Sequence, residues 1–196
     1  MSVDAVHLAE RLGLFVIIVL GESVVQVVDA ASQVPLTAGV LVSGLASFVL
    51  LAGLFGLSVV LGHAGLPHLR AGRIPTRAAL GRHCLVTGVI ATVAVSLTAA
   101  VTDGAEPLSG PGRWLLCGAV AGYFTLGVLT GVLSHASDLQ QTVSRTTTGI
   151  IAPLLLGAFA AGSGARTLVI WLALIVLAHL FFEHRLGTPQ AHATTT

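Results

Sequence analysis

"HLAERLGLFVIIVLGESVVQVVD", residues 7–29, has the length and greasiness of a membrane-crossing helix, yet it carries charge at both ends and Glu22 well inside. About 20 apolar helical residues cover a hydrocarbon core of about 30 Å. A charged group near the bilayer centre costs about 2.5–3.5 kcal/mol even on the mildest scale. At about 100° per residue, His7, Arg11, Glu22, Gln26 and Asp29 fall within one arc of roughly 100°, with Arg11, Glu22 and Asp29 nearly in line. This stripe predicts a helix whose polar face points into a bundle or a wet cavity. Leu12, Val16, Val19 and Ser23 would then meet lipid or a neighbouring helix. Arg11 and Glu22 stand about 16 Å apart along the axis, so each needs a partner elsewhere.

The rest of the chain has the same character. Of 196 residues, 55% are hydrophobic and 9% charged, against about a quarter charged in soluble domains. Mean hydropathy is +0.95, and apolar runs recur along the whole length, which excludes a single anchor on a soluble domain. Asp4 and Glu10 precede the first run, so no cleavable leader is expected. Nine arginines, no lysine and eight acids give a net charge of +1, too little basic excess for nucleic acid. Cys84 and Cys117 fall near the starts of consecutive, oppositely directed segments, so a disulfide between them is not expected.

Runs of spanning length occur at about 9–29, 36–62, 83–102, 114–134, 147–163 and 167–185. The fold class is therefore all-α: a polytopic integral membrane bundle of about six helices over residues 1–187, with 188–196 a disordered cytoplasmic tail. Pro153 should kink the fifth span. Six crossings place Arg11, Arg70, Arg73, Arg77, Arg82, Arg145 and Arg185 on one side and only Arg113 and Arg166 on the other. Positive-inside bias then puts both termini in the cytoplasm. The same bias explains the 63–82 loop, for which anionic-lipid contact is the alternative.

Glu22 is the leading candidate for function, because a protonatable carboxylate on a polar stripe suits a proton or small-ion path. The competing reading is a structural hydrogen bond between helices. A second tier comprises Glu10, beside His7, and His179, Glu183 and His184 at the end of the last span. These could meet at one level and present metal-ligand chemistry, but spacing alone is not a ligand geometry, so no metal and no cofactor is expected. His135 and Asp138 form a loop pair of lesser interest. Gly118, Gly122, Gly127 and Gly131 form small-xxx-small patterns that favour close packing within the chain, or homo-oligomers as the alternative. "SRTTTG" (144–149) looks like a capping start to the fifth helix. Nucleotide loops, nucleophile elbows, zinc-protease helices and paired-cysteine metal motifs are absent, which disfavours an enzyme.

Read as His7-x-x-Glu10-Arg11-x-x-Leu14-Phe15-x-Ile17-Ile18-x-Leu20-Gly21-Glu22, the opening stretch closely resembles the signature of the bacterial low temperature requirement protein A family. The later helices resemble the carboxyl-terminal half of its members. The resemblance implies a polytopic inner-membrane protein and names no reaction. Two departures stand out: no first half opened by a motif like E-L-F-F-D-L-V-F-V, and "LFGLSVVLG" (54–62) in place of an aromatic-rich stretch. The chain is therefore expected to correspond to half of a longer protein. The partners expected are the bilayer, protons or small ions, and either a second copy or an amino-terminal half. Ion- or proton-coupled transport leads, with a structural or interaction protein as the alternative.

Overall fold

The computed structural model describes residues 5–60, 76–133 and 139–186. Its elements are α1 (Ala5–Ser32), α2 (Ala38–Val60), α3 (Thr76–Asp103), α4 (Gly110–Leu133), α5 (Leu139–Ser144), a π-helical segment (Arg145–Ile151), α6 (Ala152–Phe159) and α7 (Ala165–Leu186). Among the described residues there is no strand. Five helices are long and apolar enough to cross a membrane: Glu10–Ser32, Ala38–Ser58, Leu80–Thr102, Gly110–Val132 and Ala165–Glu183. The all-α membrane bundle expected from composition is therefore what the chain forms. The tail from 188 and the His135–Asp138 pair lie outside the described residues.

The fifth span differs from expectation. It was placed at 147–163, but α5, the π-helical segment and α6 form one helical run over 139–159. Ser144 is not a cap: its dihedrals are helical (φ −58°, ψ −50°) and its side chain makes no capping bond. The proline explains the widening. Pro153 can donate nothing to the carbonyl four residues back, and its ring crowds that carbonyl. Just before it, the Ala152 N–H bonds to the Thr147 carbonyl, five residues back, as in a π turn. Pro153 thus produces a wider turn, and the helix continues past it.

Ten of the largest fully buried side chains come from α2, α3, α4 and α7, among them Tyr123, Phe124, Leu54, Ile90 and Leu172. Helices α2 and α7 pack closely along their length. A Cβ at Gly53 would come within 2.6 Å of Val176 Cγ1, and one at Gly56 within 3.1 Å of Leu180. Two of the glycines singled out on α4 are looser: Gly122 would meet Val89 at 3.9 Å and Gly118 has open space. A hydroxyl link ties α4 to α2, with Tyr123 Oη donating to the Leu54 carbonyl (3.0 Å) and lying 2.8 Å from Ser58 Oγ.

At the end away from the amino terminus, the Ala165 and Arg166 amides donate to the Glu106 and Gly104 carbonyls (2.9 and 3.1 Å). Gly104 turns the chain there with φ +60°, a value that favours glycine. Arg166 reaches Ser43 Oγ (3.3 Å), and Arg113 donates to the Gly157 carbonyl (2.7 Å) in the last turn of α6. Both cysteines are free, Cys84 exposed and Cys117 buried.

Overpacking a tight helix crossing costs about 1–3 kcal/mol. Gly53→Leu is expected to lower the stability of the detergent-purified protein by at least that much. Gly118→Leu, in open space, should leave thermal unfolding unchanged or slightly improved.

Candidate functional site

Helix α1 packs mainly on α3 and turns inward Val16, Leu20, Ser23, Val27 and Ala30, all buried. Their 4-3-4-3 spacing is a narrow packing seam of the kind that lets two helices interdigitate. The polar stripe therefore points the other way, which corrects the inward orientation expected above. His7, Glu10, Arg11, Glu22 and Asp29 are exposed on the bundle surface, and Gln26 is half-buried. Leu12 and Val19 sit at the margin of the seam. The physical reason is steric: the slim apolar edge with Ser23, whose hydroxyl folds back onto the Val19 carbonyl at 2.7 Å, fits α3 better than a row of long charged chains. On the outer face the stripe bonds along itself. Gln26 Nε2 lies 3.4 Å from Glu22 Oε1, Gln33 donates to Asp29 at 3.1 Å, and His7 stands 3.5 Å from Glu10.

The buried charge lies elsewhere. Glu183, on α7, is 8% exposed and accepts two hydrogen bonds from Arg145 of the π-helical segment, Nε to Oε1 at 2.7 Å and Nη2 to Oε2 at 3.0 Å. This fork-to-fork geometry is the strong form of an arginine–carboxylate pair. One turn earlier, His179 is 2% exposed, with Nδ1 3.0 Å from Thr148 Oγ1 and Nε2 3.4 Å from Glu183 Oε1. The Thr148 hydroxyl donates to the Ser144 carbonyl (2.7 Å), so toward His179 it acts as acceptor of Nδ1–H. Nε2 then carries the lone pair. Among the described residues it is buried without a hydrogen-bond partner, facing a carboxylate oxygen.

Phe124 of α4 closes the site from the protein side. Its ring meets the His179 imidazole edge to face at 4.8 Å, and a Cβ at Gly149 would collide with it. The π-helical segment brings Arg145 and Thr148 onto α7 while Gly149 passes Phe124. Of the second-tier residues, the structure brings His179 and Glu183 together and leaves His7 and Glu10 as a separate exposed pair. The side chain of His184 lies outside the described residues. Among the described residues no three His, Cys, Asp or Glu side chains gather as a metal site.

The model of the bacterial low temperature requirement A protein (LtrA) family matches residues 1–181. The chain belongs to that family. No curated protein matches it, and no solved structure does. Family membership and five spanning-length helices together make this LtrA-family chain an integral membrane protein.

Sequence reasoning missed Arg145 and Thr148. The sequence reading leaves Arg145 outside the fifth span and reads 144–149 as a capping start, because it begins that span several residues too late. The signal was Pro153, which marks the run as distorted, together with His179 and Glu183 at i and i+4 on an otherwise apolar helix.

Removing one partner of a buried ion pair strands the other at a cost of about 3–5 kcal/mol. Arg145→Met in this LtrA-family protein is expected to lose that much stability in detergent. Adding Glu183→Leu should restore most of it, a sign of non-additivity that equilibrium unfolding of the two variants will read.

Proposed function

We propose that this protein couples the movement of protons or small ions across the bacterial inner membrane to a proton held at the His179–Glu183–Arg145 cluster. The observation that carries the reading is the buried His179 Nε2, without a hydrogen-bond partner among the described residues and 3.4 Å from Glu183 Oε1. Imidazole has a second nitrogen able to take a proton, and a proton arriving on Nε2 would meet a carboxylate already in place. No other bond need break, because Nδ1–H stays on Thr148. Taking up that proton changes the cluster from neutral to +1, and such a change within a membrane bundle favours a different packing of its helices.

The α1 stripe enters this reading as the outer part of a path. Hydrocarbon does not solvate Glu22, so a path along Glu22, Gln26 and Asp29 requires a further helix over that face, from a second copy or from an additional half of the protein. The arginine-rich end, with both chain termini, faces the cytoplasm in this reading. One feature favours the alternative of a structural or interaction protein without transport: both Glu183 oxygens are already held by Arg145, which joins two helical elements.

Protein sealed into liposomes with a trapped pH dye is expected to collapse an imposed pH gradient faster than protein-free liposomes. His179→Gln should slow this by roughly tenfold, the equivalent of one charge-assisted hydrogen bond, while thermal unfolding stays close to wild type. A wild-type rate equal to the protein-free leak, in both gradient directions, would overturn transport and leave the structural role.

A further inference from the structure

Another arginine of the bundle has a guanidinium nitrogen without an acceptor among the described residues. Arg82 lies in the second turn of α3, and its Nη1 is buried with no hydrogen-bond partner among the described residues. A guanidinium cannot shed its proton to escape this, and a buried donor without an acceptor is costly. Arg82 lines a cavity of about 330 Å³ between α3 and α4, whose other walls include Gly81, Leu85, Leu126, Leu129 and Thr130. The Thr130 hydroxyl is already committed to the Leu126 carbonyl (2.7 Å), so Arg82 is left as the polar group seeking a partner.

The cavity opens outward. Leu85 is 59% and Leu129 52% exposed, and at Gly81 and Gly88 an added Cβ would meet nothing within 4 Å. Gly81 and Leu85 line the cavity, and Gly88, at i+7 from Gly81, continues the same apolar helix face as a shallow trough from Arg82 toward the bilayer centre. Arg82 itself stands two residues inside the spanning segment that begins at Leu80, at the depth where headgroup gives way to hydrocarbon. A cation at that level above an apolar trough has the chemistry of a phosphate above an acyl chain. A free phosphate ion would use the cation and leave the trough empty.

We propose that the α3–α4 groove is a binding site for an anionic phospholipid, with its phosphate on the Arg82 guanidinium and one acyl chain along Gly81, Leu85 and Gly88. The contact is with the lipid as a ligand held in register, a different matter from general attraction of basic loops to a membrane surface.

Native mass spectrometry of the full chain released from detergent, with phosphatidylglycerol or phosphatidylcholine added, tests this. Wild type is expected to keep a phosphatidylglycerol adduct under collisional activation that removes phosphatidylcholine. Arg82→Gln should reduce retention roughly tenfold, and Arg77→Gln, an exposed arginine earlier on the same helix, should not. Gly88→Leu fills the trough without touching the charge and should also weaken the adduct, which keeps the test decisive if Arg82→Gln fails to fold. Equal retention by wild type and Gly88→Leu, or by wild type and a folded Arg82→Gln, overturns the proposal. So does displacement of the lipid by inorganic phosphate.

Discussion

A hydroxyl inside hydrocarbon has no water to bond, so it must find an acceptor on its own helix or on the next one. Nearly every serine and threonine in these helices takes the first course. Ser23, Ser47, Ser58, Thr92, Ser96 and Thr125 each donate to the carbonyl four residues back, at 2.7–2.9 Å. Once satisfied locally, such residues behave as small, nearly apolar surface, and helices can pack over them. This is why Ser23 sits in the buried seam of α1, and why Ser47 and Ser58 are fully buried on α2. Slim residues at such seams let backbones approach, which favours dispersion contacts where the hydrophobic effect between helices is weak.

Side chains that cannot be satisfied on their own helix mark the joints of the bundle. Tyr123 reaches Leu54 and Ser58, Arg113 reaches the end of α6, Arg166 reaches Ser43, and Arg145 reaches Glu183. Three of these four belong to arginines, whose planar fork supplies several donors from one position. Two of them hold the end away from the amino terminus and one holds the other end, leaving the middle to apolar packing and the tyrosine.

Much of this was legible in the chain. Continuous apolar runs marked the helices α1 to α4 and α7, because the bilayer fixes both length and composition. The facing of α1 was harder. Two stripes were visible on it, one charged and one slim, and the cost of exposing Glu22 argued for turning the first inward. The seam of Val16, Leu20, Ser23 and Val27 turned inward instead, since close fit to α3 is a property of both helices and only one was being weighed. His179 and Glu183 could be named from the sequence, but their partners could not. Arg145 is 38 residues from Glu183 and Thr148 is 31 from His179, and the register that joins them depends on a distortion whose position a proline hints at without fixing.

That distortion has a consequence of its own. A wide turn holds one residue more than regular coiling would need, and such an excess can migrate along a helix as one set of backbone bonds is exchanged for the next. Each step of migration would swing a residue by about 100° around the axis, enough to carry Arg145 off its carboxylate while the flanking coils keep their places. The helical run over 139–159 therefore stores a quantum of rotation beside its most polar contact.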